Sequence, residues 1–259
     1  MSKATIHVES LVINITNICN MDCEFCLRGG SRQGKLDLAL IPKIFKGISK
    51  VDTLTLTGGE PSMYPEAVTA ITDYLVGHKD DIQIDGMFIA TNGKVYCQEL
   101  VDAVKTMMYL YMERKFGDGS YMDYSSRRFI KSMYEDMRYL FSIAVSVDAY
   151  HEPIDQTNYI KYLTSGVYSE AKERDFSNGG VLSRGRGAFI SGSIYRAYQE
   201  FKAVCEDDEI MAESVYITSD GEVFADCDMS QDMEEGCEPA GLLETETLAE
   251  IIERAAVSE

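Results

Sequence analysis

Short β-rich runs alternate with longer helical patterns through the first part of this chain, and that alternation limits its possible folds more than any other feature. LVINIT, DTLTLTGG, IQIDGMFIATNG and LFSIAVSVD each read as a buried strand ending at or beside Gly, Asn or Asp. LIPKIFKGI, YPEAVTAITDYLV and CQELVDAVKTMMYLYMERK lie between them with helical patterning. Strand, helix and strand in succession predict βαβ units and a parallel sheet, with chemistry gathered at the carboxyl ends of the strands. Four strands are too few to close a barrel by eight-strand arithmetic, so the expected fold class is α/β, an open or partial (β/α) barrel.

Beyond Asp148 the pattern weakens. DQTNYIKYLTSGVYSEAKERDF reads as helical, GGVLS as a strand, and ESVYITSDGEVFADC as a hairpin whose Asp220-Gly221 supplies the positive φ of a tight turn. We expect a core over residues 1–190 and a small C-terminal hairpin/helix appendage over 191–259.

At 259 residues and 45% hydrophobic content the chain can bury a substantial core. Its start, MSKATIHVES, lacks a basic segment followed by an apolar run, and no stretch approaches the roughly 20 apolar residues that span a bilayer. Seven cysteines, an odd number, point to metal ligation or reduced thiols more than to a disulfide framework. A cytoplasmic protein without a membrane segment is expected. The net charge of -19 repels a phosphate backbone, which disfavours nucleic acid as partner. The acidic excess is densest after Glu200, where a solvated face accounts for it.

In NICNMDCEFCLRGG, directly after the first strand, Cys19, Cys23 and Cys26 are separated by three and then two residues. A loop with that spacing can place three thiolates around one face of a cubane, leaving the fourth iron open to a chelating molecule. The competing reading is a zinc knuckle. Structural zinc takes four protein ligands, and no fourth Cys or His follows within the loop.

CNMDCEFC resembles the CxxxCxΦC signature of the radical S-adenosylmethionine (SAM, AdoMet) superfamily, with Phe25 at its aromatic position. GGEP at Gly58 to Pro61 follows the second strand as it does in that family. The resemblance implies a [4Fe-4S] cluster on Cys19, Cys23 and Cys26, with AdoMet chelating the open iron. It also implies reductive cleavage of AdoMet to a 5′-deoxyadenosyl radical that abstracts hydrogen from substrate, the protein supplying binding and orientation. By the same resemblance Gly58, Gly59 and Glu60 hold the AdoMet amino group and Phe25 lies near the adenine. Asn92, Ser146 and Asp148 contact AdoMet or substrate from later strand ends. Arg184 and Arg186, in SRGRG, resemble a late GRA-like turn whose guanidinium pairs with the AdoMet carboxylate. Taken singly, GGEP and TNG are also turn signals, Asp148 a helix cap, Phe25 a core aromatic, and the arginines and His151 surface-loop residues.

An acidic electron donor of the flavodoxin or ferredoxin type would need a positive docking spot, which Arg28, Arg32 and Lys35 offer beside the cysteines. The segment carrying Cys205, Cys227 and Cys237 is similar to the first part of a SPASM or twitch appendage, which implies a second [4Fe-4S] cluster. Five residues separate Gly221 from Cys227 where that family has four, and the cysteine-rich repeat of a full SPASM domain is absent. Three unligated thiols are the other reading. Cys97 reads as a packing residue, and the Met- and Tyr-rich stretch 105–139 as core or helix contact. Twitch-like appendages make a peptide or protein side chain the first substrate guess, although no leader-binding module precedes the first strand. A small molecule, a nucleotide or a nucleic-acid base is the enzymatic alternative, and a non-catalytic iron-sulfur or zinc module is the alternative of another class.

Overall fold

A computed structural model describes residues 4–116, 137–146, 151–169, 182–189, 193–195 and 197–258. In chain order the elements are β1 (Thr5–Asn14), α1 (Ile41–Phe45), β2 (Lys50–Thr57), α2 (Pro65–Gly77), β3 (Gln83–Ile84), β4 (Met87–Thr91), α3 (Gln98–Phe116), β5 (Phe141–Val145) and α4 (Gln156–Leu163). They continue as β6 (Ala203–Glu206), β7 (Glu209–Ile217), β8 (Glu222–Phe224), α5 (Gln231–Gly236), β9 (Gly241–Leu242), α6 (Leu248–Ala255) and β10 (Ala256–Ser258).

β1, β2, β4 and β5 lie side by side in parallel, as the alternation predicts, and the sheet is not closed. IQIDGMFIATNG divides into β3 and β4 at Asp85-Gly86. A Cβ on Gly86 would lie 3.0 Å from the Leu140 carbonyl and 3.1 Å from that of Asp52, so the backbone is pinched at that point. The helices cover the sheet with apolar faces at helical spacing. α2 buries Ala67, Val68, Ile71 and Leu75, and α3 buries Leu100, Val104, Met107, Met108 and Met112. These α3 methionines are core residues, as expected of them; the rest of that Met-rich stretch, through 136, lies outside the described residues. α6 starts at a capping box in which Thr247 accepts from the Glu250 amide and Glu250 accepts from the Thr247 amide.

The C-terminal strands enter the same sheet. β7 pairs in parallel with β1 from Thr5↔Glu209 to Ile13↔Ile217, so β1 is flanked on both sides and Leu11 and Ile13 are fully buried. β6 adds antiparallel to β7, and β10 adds parallel to β6. The expected hairpin is β7 and β8. Its turn uses positive φ at Gly221 alone, not at Asp220, and Gly221 N–H donates to the Thr218 carbonyl at 3.0 Å. No described helix is long and apolar enough to cross a membrane.

Candidate functional site

β1 runs out through Thr16 and Asn17 into the cysteine loop, whose base is closed by two backbone hydrogen bonds. Asn17 N–H donates to Gly34 O, and Arg32 N–H to Asn17 O, both at 3.0 Å. The exit of β1 lies directly against the end of β2. Gly59 N–H donates to Thr16 O at 2.6 Å and Glu60 N–H to Ile18 O at 2.9 Å. A Cβ on Gly58 would stand 2.5 Å from Thr16 O, and one on Gly59 2.5 Å from Ile18 O. The glycine pair is therefore required by backbone packed on backbone, a cause distinct from ligand approach.

Glu60 is 1% exposed. Its Oε1 accepts from Ser62 N–H at 3.0 Å and from Thr91 Oγ1 at 2.6 Å, and its Oε2 accepts from Asn92 N–H at 2.7 Å. Burial pushes its carboxyl up from the usual range, and these donors oppose that rise. The carboxylate thus ties the end of β2 to the end of β4. Asn92 in turn donates through Nδ2 to Asn20 Oδ1 at 2.8 Å and approaches Cys19 Sγ at 3.8 Å. Burial also raises the Cys19 thiol, against the pull of the Met21 amide 3.4 Å from its sulfur.

Cys19, Cys23 and Cys26 line one cleft together with Gly58, Glu60 and Asn92, enclosing about 960 Å³ of space including its mouth. Phe25 is 7% exposed in the wall and meets the His151 ring edge-on, with centroids 4.9 Å apart. Ser146, at the end of β5, completes this side. Among the described residues no three His, Cys, Asp or Glu side chains converge tightly enough for a single metal ion. The three thiols instead stand around the pocket wall.

Residues 13–113 match the family model of the radical SAM superfamily. Over these residues the chain is similar to that superfamily. Members of this superfamily are enzymes that use a [4Fe-4S] cluster and AdoMet. No curated protein sequence matches the chain. Among solved structures, BtrN in complex with AdoMet and 2-DOIA is similar in fold, with a TM-score of 0.50 and 14% identity over 97% of this chain and 83% of that one. A structure of anSMEcpe with bound AdoMet aligns over 95% and 80% of the two chains, with 14% identity and a TM-score of 0.44. Streptococcus suis SuiB bound to its precursor peptide SuiA aligns over 97% and 65%, with 13% identity and a TM-score of 0.37.

The donor set fits the cofactors of the radical SAM superfamily. Three soft thiol ligands stand on one loop, and the adjoining wall, from Gly58 to Asn92, is made of strand ends with buried polar groups. Other expected site residues are placed differently. Arg184 does not line this cleft. It is 5% exposed, and its guanidinium pairs with Asp226 at 3.2 Å and donates to the Asp228 carbonyl, which uses the charge expected to meet the AdoMet carboxylate. Asp148 lies outside the described residues. Arg28, read as part of a docking spot, lies in the cleft wall. It is largely buried and forks onto Glu234 of α5 with both contacts at 2.6 Å, while Arg32 pairs with Asp232 and Glu235. Helix α5 thereby neutralises two of the three charges read as a docking spot, and Lys35 lies over the Tyr64 ring.

The C-terminal cysteines do not come together. Cys205 on β6 faces Ile210, at the start of β7, and packs on the core. Phe224, three residues before Cys227, pairs with Tyr216 near the end of β7. The six-residue rise from Ile210 to Tyr216 separates these levels by about 20 Å. Cys237, just after α5, packs on the small cluster of Val12, Tyr216, Phe224 and Met229, whereas Cys227 lines the main cleft. Cys97 is a packing residue at 6% exposure, and burial pushes its thiol up to about 12.

Several wall residues escaped the sequence reading. Asn14 and Tyr216, from the ends of β1 and β7, also line the cleft, and the Tyr216 hydroxyl donates to Glu234 at 2.6 Å. Lys94 binds the Asn20 carbonyl at 2.8 Å and Glu152 at 2.6 Å, and Glu152 accepts from the Asp22 amide at 2.8 Å. His151, read either as a surface-loop residue or as one facing the active site, stands in the wall. Only β7 beside β1 brings Tyr216 to the cleft, and that pairing has no local sequence signal.

Proposed function

We propose that this chain cleaves AdoMet reductively in the cleft and that the radical so formed abstracts hydrogen from a peptide or protein side chain. The observation that carries the reading is the convergence of Cys19, Cys23 and Cys26 with Gly58, Glu60 and Asn92 on one pocket at the carboxyl ends of parallel strands. In this reading Cys19, Cys23 and Cys26 would hold the cluster, which would supply the electron for the reductive cleavage of AdoMet. Backbone groups at Gly58 and Gly59 hold the AdoMet amino end, in a site that Glu60 keeps in shape from beneath. Phe25, Ser146 and Asn92 bound the space for the rest of the molecule. The protein's work is positioning and exclusion of water.

In this reading substrate meets the wall of Asn14, Arg28 and Tyr216. The Arg28 charge there is already met by both oxygens of Glu234, so this wall suits a neutral hydrogen-bonding group such as a peptide amide better than a phosphate. The overall charge of -19 disfavours a nucleic acid in the same sense. An electron donor of the flavodoxin or ferredoxin type completes the scheme.

Anaerobic reconstitution followed by dithionite and AdoMet tests the reading. The intact chain should release 5′-deoxyadenosine, and Cys19→Ala, Cys23→Ala and Cys26→Ala should not. A peptide mixture should accelerate release more than a nucleoside mixture; acceleration by nucleosides alone would shift the assignment to base modification.

A further inference from the structure

The cysteine loop is held by a residue that neither a ligand role nor an AdoMet contact explains. Gly185 has φ +53, and a Cβ there would lie 2.6 Å from Cys26 O and overlap Leu27 O, so the Ser183–Phe189 segment is laid flat on the loop. The next residue, Arg186, grips it. Its amide donates to Cys26 O at 3.0 Å, its NH1 to Cys23 O at 3.2 Å and its Nε to Gly29 O at 3.3 Å, and NH2 pairs with the Asp22 carboxylate. Gly30, at φ +129, leaves the notch in which the guanidinium sits: a Cβ there would be 2.8 Å from NH2. Gly30 and three acceptors around one side chain make a fitted socket.

We propose that Arg186 is the positioning residue of the cluster loop: its planar fork fixes the backbone between Asp22 and Gly29 so that Cys23 and Cys26 face the cleft, and its charge balances Asp22 beside them. This inference rests on the radical SAM reading of the three cysteines. A fork donating to several carbonyls at once is not reproduced by lysine, a compact point charge. Loss of the charge leaves Asp22 uncompensated near the thiolates and makes each added electron costlier.

The test uses the reconstituted full-length chain, with two readouts apart from activity: the rate of iron loss to a chelator, and the fraction of cluster reduced at a fixed potential, read by electron paramagnetic resonance. Arg186→Gln should lose iron several-fold faster and be reduced to a smaller fraction than the parent. Arg186→Lys, the milder change that guards against a folding failure, should lose iron faster while keeping the parent's reduced fraction. Asp22→Asn combined with Arg186→Gln should recover the reduced fraction and not the iron retention, a separation that a general loss of structure would not produce. Parent-like iron retention and reduction in both single variants would overturn the assignment. If the parent itself takes up no cluster, the underlying radical SAM reading fails instead, and the two failures are distinct.

Discussion

A methyl group at Gly59 would have to displace the Ile18 carbonyl, which is backbone and which already accepts the Glu60 amide. Gly59→Ala, and likewise Gly58→Ala against Thr16 O, should therefore push the exit of β1 away from β2. We expect lowered iron uptake on reconstitution along with a lowered Tm, whereas Gly77→Ala, with nothing within 4 Å of the added carbon, should take up iron normally. Glu60 tells a related story. Its two oxygens meet three donors, so Glu60→Gln must turn an amide NH2 toward at least one of them. An unmet buried group of this kind costs about 1–3 kcal/mol. Denaturant unfolding of the cluster-free protein should show that loss, and an unchanged midpoint would mean that Glu60 is not the tie between β2 and β4.

At the scale of elements, α5 has the decisive position. Its Glu234 receives the Arg28 fork and the Tyr216 hydroxyl in a region where both partners of the ion pair are about nine-tenths buried, while Arg32 reaches Asp232 and Glu235 at the surface. Removing one partner of a buried pair strands the other, at about 3–5 kcal/mol, whereas an exposed pair is worth about 0–1 kcal/mol. Arg28→Ala should therefore lower stability far more than Arg32→Ala, measured as the difference in unfolding free energy; equal effects would contradict the placement of α5 against the loop. This arrangement also marks what sequence could not convey. The four parallel strands, α2, α3 and the cysteine loop all carry local signals in periodicity, turn residues and spacing. Arg28 looked like surface charge because its partner lies 206 positions away, and Arg184 looked like a cofactor ligand because its partner Asp226, 42 positions on, carries no local signal of the pairing. Long-range ion pairs follow from topology, and topology beyond β5 was the least legible part of the chain.

Across the whole molecule, β7 supplies one flank of β1, the strand that leads into the cysteine loop, and the segment 184–186 with α5 holds that loop from the far end of the chain. A chain ended at residue 190 would expose the edge of β1 and leave Leu11 and Ile13 without the neighbour that buries them. We expect it to lack a cooperative unfolding transition, and a sharp transition with full iron uptake would show the first 190 residues to be self-sufficient. The three cysteines, read first as spacing, thus act within a cleft whose walls come from both ends of the sequence. The most direct measurement of the central claim is the electron paramagnetic resonance spectrum of the reduced, reconstituted protein with and without AdoMet. The account predicts a [4Fe-4S] signal that requires Cys19, Cys23 and Cys26 and that changes when AdoMet is added, because AdoMet takes the open iron; a signal indifferent to AdoMet would contradict it.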